Sequence, residues 1–96
     1  MQGQYKVPGG KLVVADFAVA DGRLTDVRIS GDFFLEPDHA LDAINQALTG
    51  LPAGTDSAAL AAAITRALPP GTTMFGVDAP AIAVAVARGL AAGESA

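Results

Sequence analysis

Three short stretches hold the residues whose types and spacing could do chemistry. Pro8-Gly9-Gly10-Lys11 joins glycines, which let a main chain approach a ligand closely, to an ammonium, and is a candidate cradle for a phosphate or carboxylate. The Gly-x4-Gly-Lys-Ser/Thr spacing of a P-loop is absent and a strand pattern follows, so the competing reading is a turn that enters a strand. Gly31-Asp32 offers a carboxylate that could pair with Lys11 or orient a ligand, although Ser-Gly-Asp is first of all turn chemistry. Phe33 and Phe34 are adjacent, and in an extended segment they point to opposite sides. One of them then faces solvent or a partner, unless a bend at Asp32 turns both inward.

The remaining reactive side chains assemble nothing. His39 is the sole histidine and the chain has no cysteine, so there is no second imidazole or thiolate to complete a metal site with it, and no thiol nucleophile. Ser30, Ser57 and Ser95 lack a His-Asp relay, and Asp16 with Asp26 falls on the polar face of a strand pattern. No catalytic residue is assigned.

The elements that position these stretches can be read from periodicity. Val13, Ala15, Phe17 and Val19 alternate with Leu12, Val14, Asp16 and Ala18, and Thr25, Val27 and Ile29 alternate with Asp26, Arg28 and Ser30 after Asp21-Gly22, which predicts a β-hairpin. A two-residue turn in a regular ladder would set Phe17 against Asp26 and mix core with solvent. A three-residue loop, Ala20-Asp21-Gly22, pairs Phe17 with Thr25, Ala15 with Val27 and Val13 with Ile29 instead. Continued outward, that register places Lys11 opposite Gly31 and Gly10 opposite Asp32, so the two glycine motifs share the open end of the hairpin.

Three helices follow from caps and apolar spacing. The first spans about 37 to 49 with Pro37 at its first position, the second follows Thr55-Asp56-Ser57, and the third is capped by Asp78. Thr72 to Val77 reads as a short third strand, with Phe75 counted in the core, and the alanine runs read as helix filler. The fold class is α+β, a two-layer sandwich of a small antiparallel sheet with about three helices on one face. Residues 1–93 form a single domain and 94–96 a frayed tail.

At 96 residues the chain is one small domain, and its net charge of -4 disfavours nucleic acid, a polyanion held mainly by clustered cations. No secretory leader precedes the domain, and Pro80, Arg88 and Gly89 interrupt the Ala-rich segment before it reaches membrane-spanning length, so a soluble cytoplasmic protein without a membrane partner is expected.

Tyr5-Lys6-Val7-Pro8-Gly9-Gly10-Lys11-Leu12, Ile29-Ser30-Gly31-Asp32-Phe33-Phe34 with Pro37, Leu48-Thr49-Gly50 and Phe75-Gly76-Val77 together resemble the small accessory domain of lipoate-protein ligases. In that family the domain is either the C-terminal part of one chain or a separate subunit, and the likeness covers about residues 4 to 91. The resemblance implies a non-catalytic partner that supports formation of lipoyl-AMP by a separate biotin/lipoate ligase-like domain, before the lipoyl group passes to a carrier-domain lysine. It implies lipoate, ATP and Mg2+ at that catalytic partner and no cofactor on this chain. It also implies an architecture like the SufE/NifU proteins, without their sulfur chemistry. On this reading Gly10, Lys11, Gly31, Asp32, Phe33 and Phe34 form the surface facing the partner or its adenylate. The rival is a binding or scaffold module that docks another acyltransferase or a lipoyl carrier protein.

Overall fold

The computed structural model describes residues 1–95. Its elements run β1 (Gln2–Lys6), β2 (Leu12–Ala20), β3 (Arg23–Gly31), β4 (Phe34–Glu36), α1 (His39–Leu48), α2 (Ser57–Ala67), β5 (Thr73–Phe75) and α3 (Ala79–Ser95). The class is α+β, with three helices packed on an antiparallel sheet. The sheet differs from expectation in its membership. Its order is β1-β2-β3, and the expected third strand, β5, pairs with β4 in a separate two-stranded ribbon.

The hairpin register is also corrected. The β2–β3 loop is the two-residue Asp21-Gly22, with φ of 54° and 75°, the positive pair that a type I′ turn requires. Ala20 therefore pairs with Arg23, and Val19 with Leu24. Beyond this the ladder slips by one residue. Ala18 pairs with Thr25 but Asp16 pairs with Arg28, so Phe17 opposes both Asp26 and Val27, and Asp26 takes a φ of 52°. This bulge does what the three-residue loop was expected to do, but farther along the strand. It brings Leu24, missed as a core residue, and Ile29 to the same inner face, at 0% and 1% exposure. Val13 then faces Gly31, and the Lys11–Gly31 and Gly10–Asp32 pairings do not form.

One face of the sheet is covered by helices. Val13, Ala15, Phe17, Leu24 and Ile29 pack with Ile44 and Leu48 of α1, Leu60 and Ile64 of α2, and Ile82 and Val86 of α3 in one continuous core. α3 lies so close to β1 that a Cβ on Gly3 would stand 1.9 Å from the Ala85 carbonyl oxygen and 2.4 Å from the Gly89 nitrogen. Ala79, Ala81, Ala83 and Ala85 are buried, so these alanines are part of the packed interior, and it is Gly3 and Gly89 that allow the close approach. Arg88 crosses the strand, its guanidinium 4.9 Å from the Tyr5 ring centroid and Nη1 donating to the Gln4 carbonyl at 3.1 Å.

The outer edge of β3 is closed by other parts of the chain. Asn45 Oδ1 of α1 accepts the Ile29 N–H at 3.0 Å. The segment after α1 pairs with the near end of the strand through Leu24 N to Leu51 O at 2.9 Å and Gly50 N to Leu24 O at 2.8 Å. A β-edge otherwise open to other chains is thereby occupied.

The helix caps divide. Asp56 accepts from Ala59 N at 2.8 Å and Asp78 Oδ1 from Ala81 N at 2.8 Å, as their positions predict. α1 starts at His39 rather than at Pro37, because β4 extends to Glu36 and Pro37-Asp38 form the turn between them. Asp38 makes no side-chain cap bond. Ala96, the last residue of the expected tail, lies outside the described residues.

Candidate functional site

The two glycine motifs have different partners: Gly10-Lys11 packs on a third glycine, Gly76, and Gly31-Asp32 on the Leu12 carbonyl. Val7 to Lys11 forms a tight turn in which Gly10 N donates to Val7 O at 2.8 Å and Val7 N to Lys11 O at 3.1 Å. Lys11 N donates in turn to Gly76 O, just after β5, at 3.0 Å. A Cβ on Gly76 would stand 2.5 Å from Lys11 Cγ, so the lysine stem runs directly over that glycine. Across the sheet, Asp32 N donates to Leu12 O at 3.3 Å, and a Cβ on Gly31 would stand 2.1 Å from the same oxygen. Gly31, at φ 149°, combines a conformation and a contact that favour glycine. Gly10 and Lys11 are thus tied to the β5 end, and Gly31 and Asp32 to the start of β2.

The turn is a poor anion cradle. Of its main-chain groups from Val7 to Lys11, the N–H groups of Val7, Gly10 and Lys11 are already bonded, and Pro8 has none. Only the Gly9 N–H is left, and a nest needs several convergent donors. The Lys6 ammonium lies against the Gly10 carbonyl. Lys11 is exposed, and among the described residues its ammonium forms neither the expected pair with Asp32 nor another side-chain bond.

The two aromatics separate as an extended segment requires. Phe33 packs half-buried against the core, while Phe34 is 54% exposed. Phe34 stands opposite Phe75 in the ribbon, with ring centroids 5.6 Å apart and planes tilted by 30°. Phe75 is 48% exposed, which corrects its assignment to the core. The inner side of the same ribbon carries Leu35, buried, and Met74, partly buried against the core. The strand alternation that buries Leu35 is what turns Phe34 outward. A hollow of about 210 Å³ lies beside Phe34, lined also by Phe33, Leu35, Asp38 and Leu41.

Sequence reasoning missed Phe75 and Gly76 as members of this surface. A strand of three residues gives too little alternation to assign faces, and the glycine next to Phe75 was the only local signal. A larger hollow, about 310 Å³, lies between the Val7-Pro8 turn and the start of α3, against Tyr5, Pro80 and Val84, and includes none of the expected site residues.

Among the described residues no three His, Cys, Asp or Glu side chains come together as a metal site, and no helix is long and apolar enough to cross a membrane. His39 is exposed on the first turn of α1. The surface made by Lys11, Asp32, Phe34, Phe75 and Gly76 has the makings of a contact: a fixed aromatic pair, a hollow and uncommitted charges, with no nucleophile held against a base.

No protein-family model and no curated protein matches the sequence. Among solved structures, the chain is similar to one from an archaeal lipoylation system, a bi-partite lipoate protein ligase and its E2 lipoyl domain from Thermoplasma acidophilum. The two are 22% identical, with a TM-score of 0.65 over 90% of this chain and 97% of that one. At this identity the likeness is one of fold, and it spans both chains nearly end to end.

Proposed function

We propose that this chain is the non-catalytic accessory subunit or domain of an ATP-dependent lipoate-protein ligase, acting in the cytoplasm. The observation that carries the reading is the shared fold, nearly end to end, with a chain of a bi-partite lipoate protein ligase system. The candidate surface supports it from the chemical side, since it offers an exposed aromatic pair and charged groups for contact with another protein. A separate catalytic subunit would bind lipoate, ATP and Mg2+ and form lipoyl-AMP. This chain would order or close that subunit's activation site in the manner of a lid, meeting the lipoyl carrier domain only indirectly. Gly10, Lys11, Gly31, Asp32, Phe33 and Phe34 belong to the surface turned toward the catalytic subunit, with Phe75 and Gly76 added. Gly10 and Gly31 serve there by letting strands and turn lie close, and Lys11, Asp32 and Phe34 by direct contact. The architectural likeness to SufE/NifU proteins is part of the same proposal.

The test is reconstitution with the biotin/lipoate ligase-like protein of the same genome. The two chains are expected to co-elute from a sizing column and together to lipoylate an E2 lipoyl domain, read as a mass gain on the acceptor. Failure to co-elute, with full lipoylation by the ligase alone, would remove the accessory role.

A further inference from the structure

We propose that the outward face of the β4–β5 ribbon is an aromatic plug with an acidic flank, and that it seats in an apolar socket bordered by lysine or arginine on the partner protein. This names the chemistry of the surface that the catalytic subunit would present, and so rests on the accessory reading above.

The first observation is the aromatic pair. The chain has four phenylalanines, and two of them, Phe34 and Phe75, stand stacked and about half exposed at opposed positions of one ribbon. Their direction is fixed from behind, because Leu35 and Met74 on the inner side anchor the ribbon to the core. An aromatic pair held rigid before contact loses little freedom on binding, which is the property of an interface anchor. The hollow of about 210 Å³ beside Phe34 leaves room for a side chain offered in return.

The second observation is charge. Asp32, Glu36 and Asp38 lie exposed on the segment that carries Phe34, and Glu36 shares the outward face with it. Among the described residues none of the three carboxylates has a side-chain hydrogen bond or an ion pair, and Asp38 is not used to cap its helix. Lys11 runs past Gly76 beside Phe75, and the Lys6 ammonium lies against the Gly10 carbonyl of the same turn, so two cations flank this end of the patch. The three carboxylates outnumber these two ammonium groups, one of them already bonded to a carbonyl, and on their flank of the ribbon they repel nucleic acid and anionic lipid headgroups and complement a protein surface carrying Lys or Arg.

Calorimetric titration of the chain into the same ligase, at about 50 mM and about 500 mM NaCl, tests the assignment. The variants are Phe34→Ser with Phe75→Ser, and Asp32→Lys with Glu36→Lys and Asp38→Lys, each first shown by circular dichroism and thermal melting to be folded. All the substituted side chains are exposed. The aromatic variant is expected to bind at least about ten-fold more weakly at both salt concentrations. The charge-reversed variant is expected to lose a similar factor at low salt, and with it the several-fold weakening by salt that the unaltered chain shows. If the unaltered chain binds and either variant binds equally well, the plug is overturned while the accessory reading stands. If the unaltered chain does not bind the ligase at all, both fall.

Discussion

Replacing Gly3 by alanine should cost far more than a single methyl group suggests, because the methyl would collide with the main chain of α3 at two residues. The added Cβ would lie 1.9 Å from the Ala85 carbonyl oxygen, 2.4 Å from the Gly89 nitrogen and 2.9 Å from its Cα. Contact between such atoms becomes ordinary near about 3.4 Å, so strand β1 and helix α3 must part by roughly 1.5 Å along this line. No rotamer change relieves a backbone clash, and α3 packs on β1, β2 and α2 at once, so the gap would propagate to Phe17 and Ile82. Overpacking of a well-filled interior costs about 1 to 3 kcal/mol, and because the clashing atoms are helix main chain the upper figure applies. For a domain of this length, about 3 kcal/mol corresponds to a fall in Tm of roughly 12 to 24 °C. Urea and thermal unfolding followed by circular dichroism would measure it. Gly54→Ala serves as the control, since a Cβ there meets nothing within 4 Å, and it should stay within about 0.5 kcal/mol of the parent. A Gly3→Ala protein as stable as the control would refute the claim that glycine sets the helix-to-sheet distance.

Two further substitutions test the local devices of the fold. Asp78→Ala removes the acceptor for Ala81 N at the start of α3 and should cost about 1 kcal/mol, measured by urea midpoint, with the slope unchanged. Asn45→Ala leaves the Ile29 N–H without its partner at the sheet edge, and should cost about 1 to 3 kcal/mol and speed hydrogen exchange at Ile29 ahead of Ala15, its neighbour in the ladder.

Those devices also mark which parts of the fold were legible. The three helices could be read because caps and apolar stripes are local signals, and Asp56 and Asp78 sit where their side chains predict. Strand β1 could not, for a reason that lies in its packing. Its inward positions are Gly3 and Tyr5, and Gly3 must be glycine because α3 takes the space, so the apolar alternation that announces a strand is missing. The hairpin was visible but its register was not. Which residue would bulge depends on tertiary pressure to bury both Leu24 and Ile29, and an aspartate at φ 52° leaves no mark in the sequence.

The candidate surface was half legible for similar reasons. Adjacent aromatics after Gly31-Asp32 left two outcomes, divergence or a bend that buries both, and Phe33 and Phe34 diverge. That Phe34 would stack on Phe75 depended on pairing between two three-residue strands far apart in the chain, and such pairing has no periodic signature. The side-by-side pairing of the glycine motifs was expected from the wrong register and does not form. Gly10-Lys11 instead packs on Gly76, whose missing side chain lets the Lys11 stem pass.

The central claim, that this chain supports lipoate activation by another subunit, is tested most directly by the rate of lipoyl-AMP formation from lipoate and ATP. The ligase of the same genome would be assayed alone, with this chain, and with its Lys11→Ala variant. The account predicts little lipoyl-AMP from the ligase alone, a large increase with the intact chain, and a smaller one with Lys11→Ala. Equal rates in all three would contradict it.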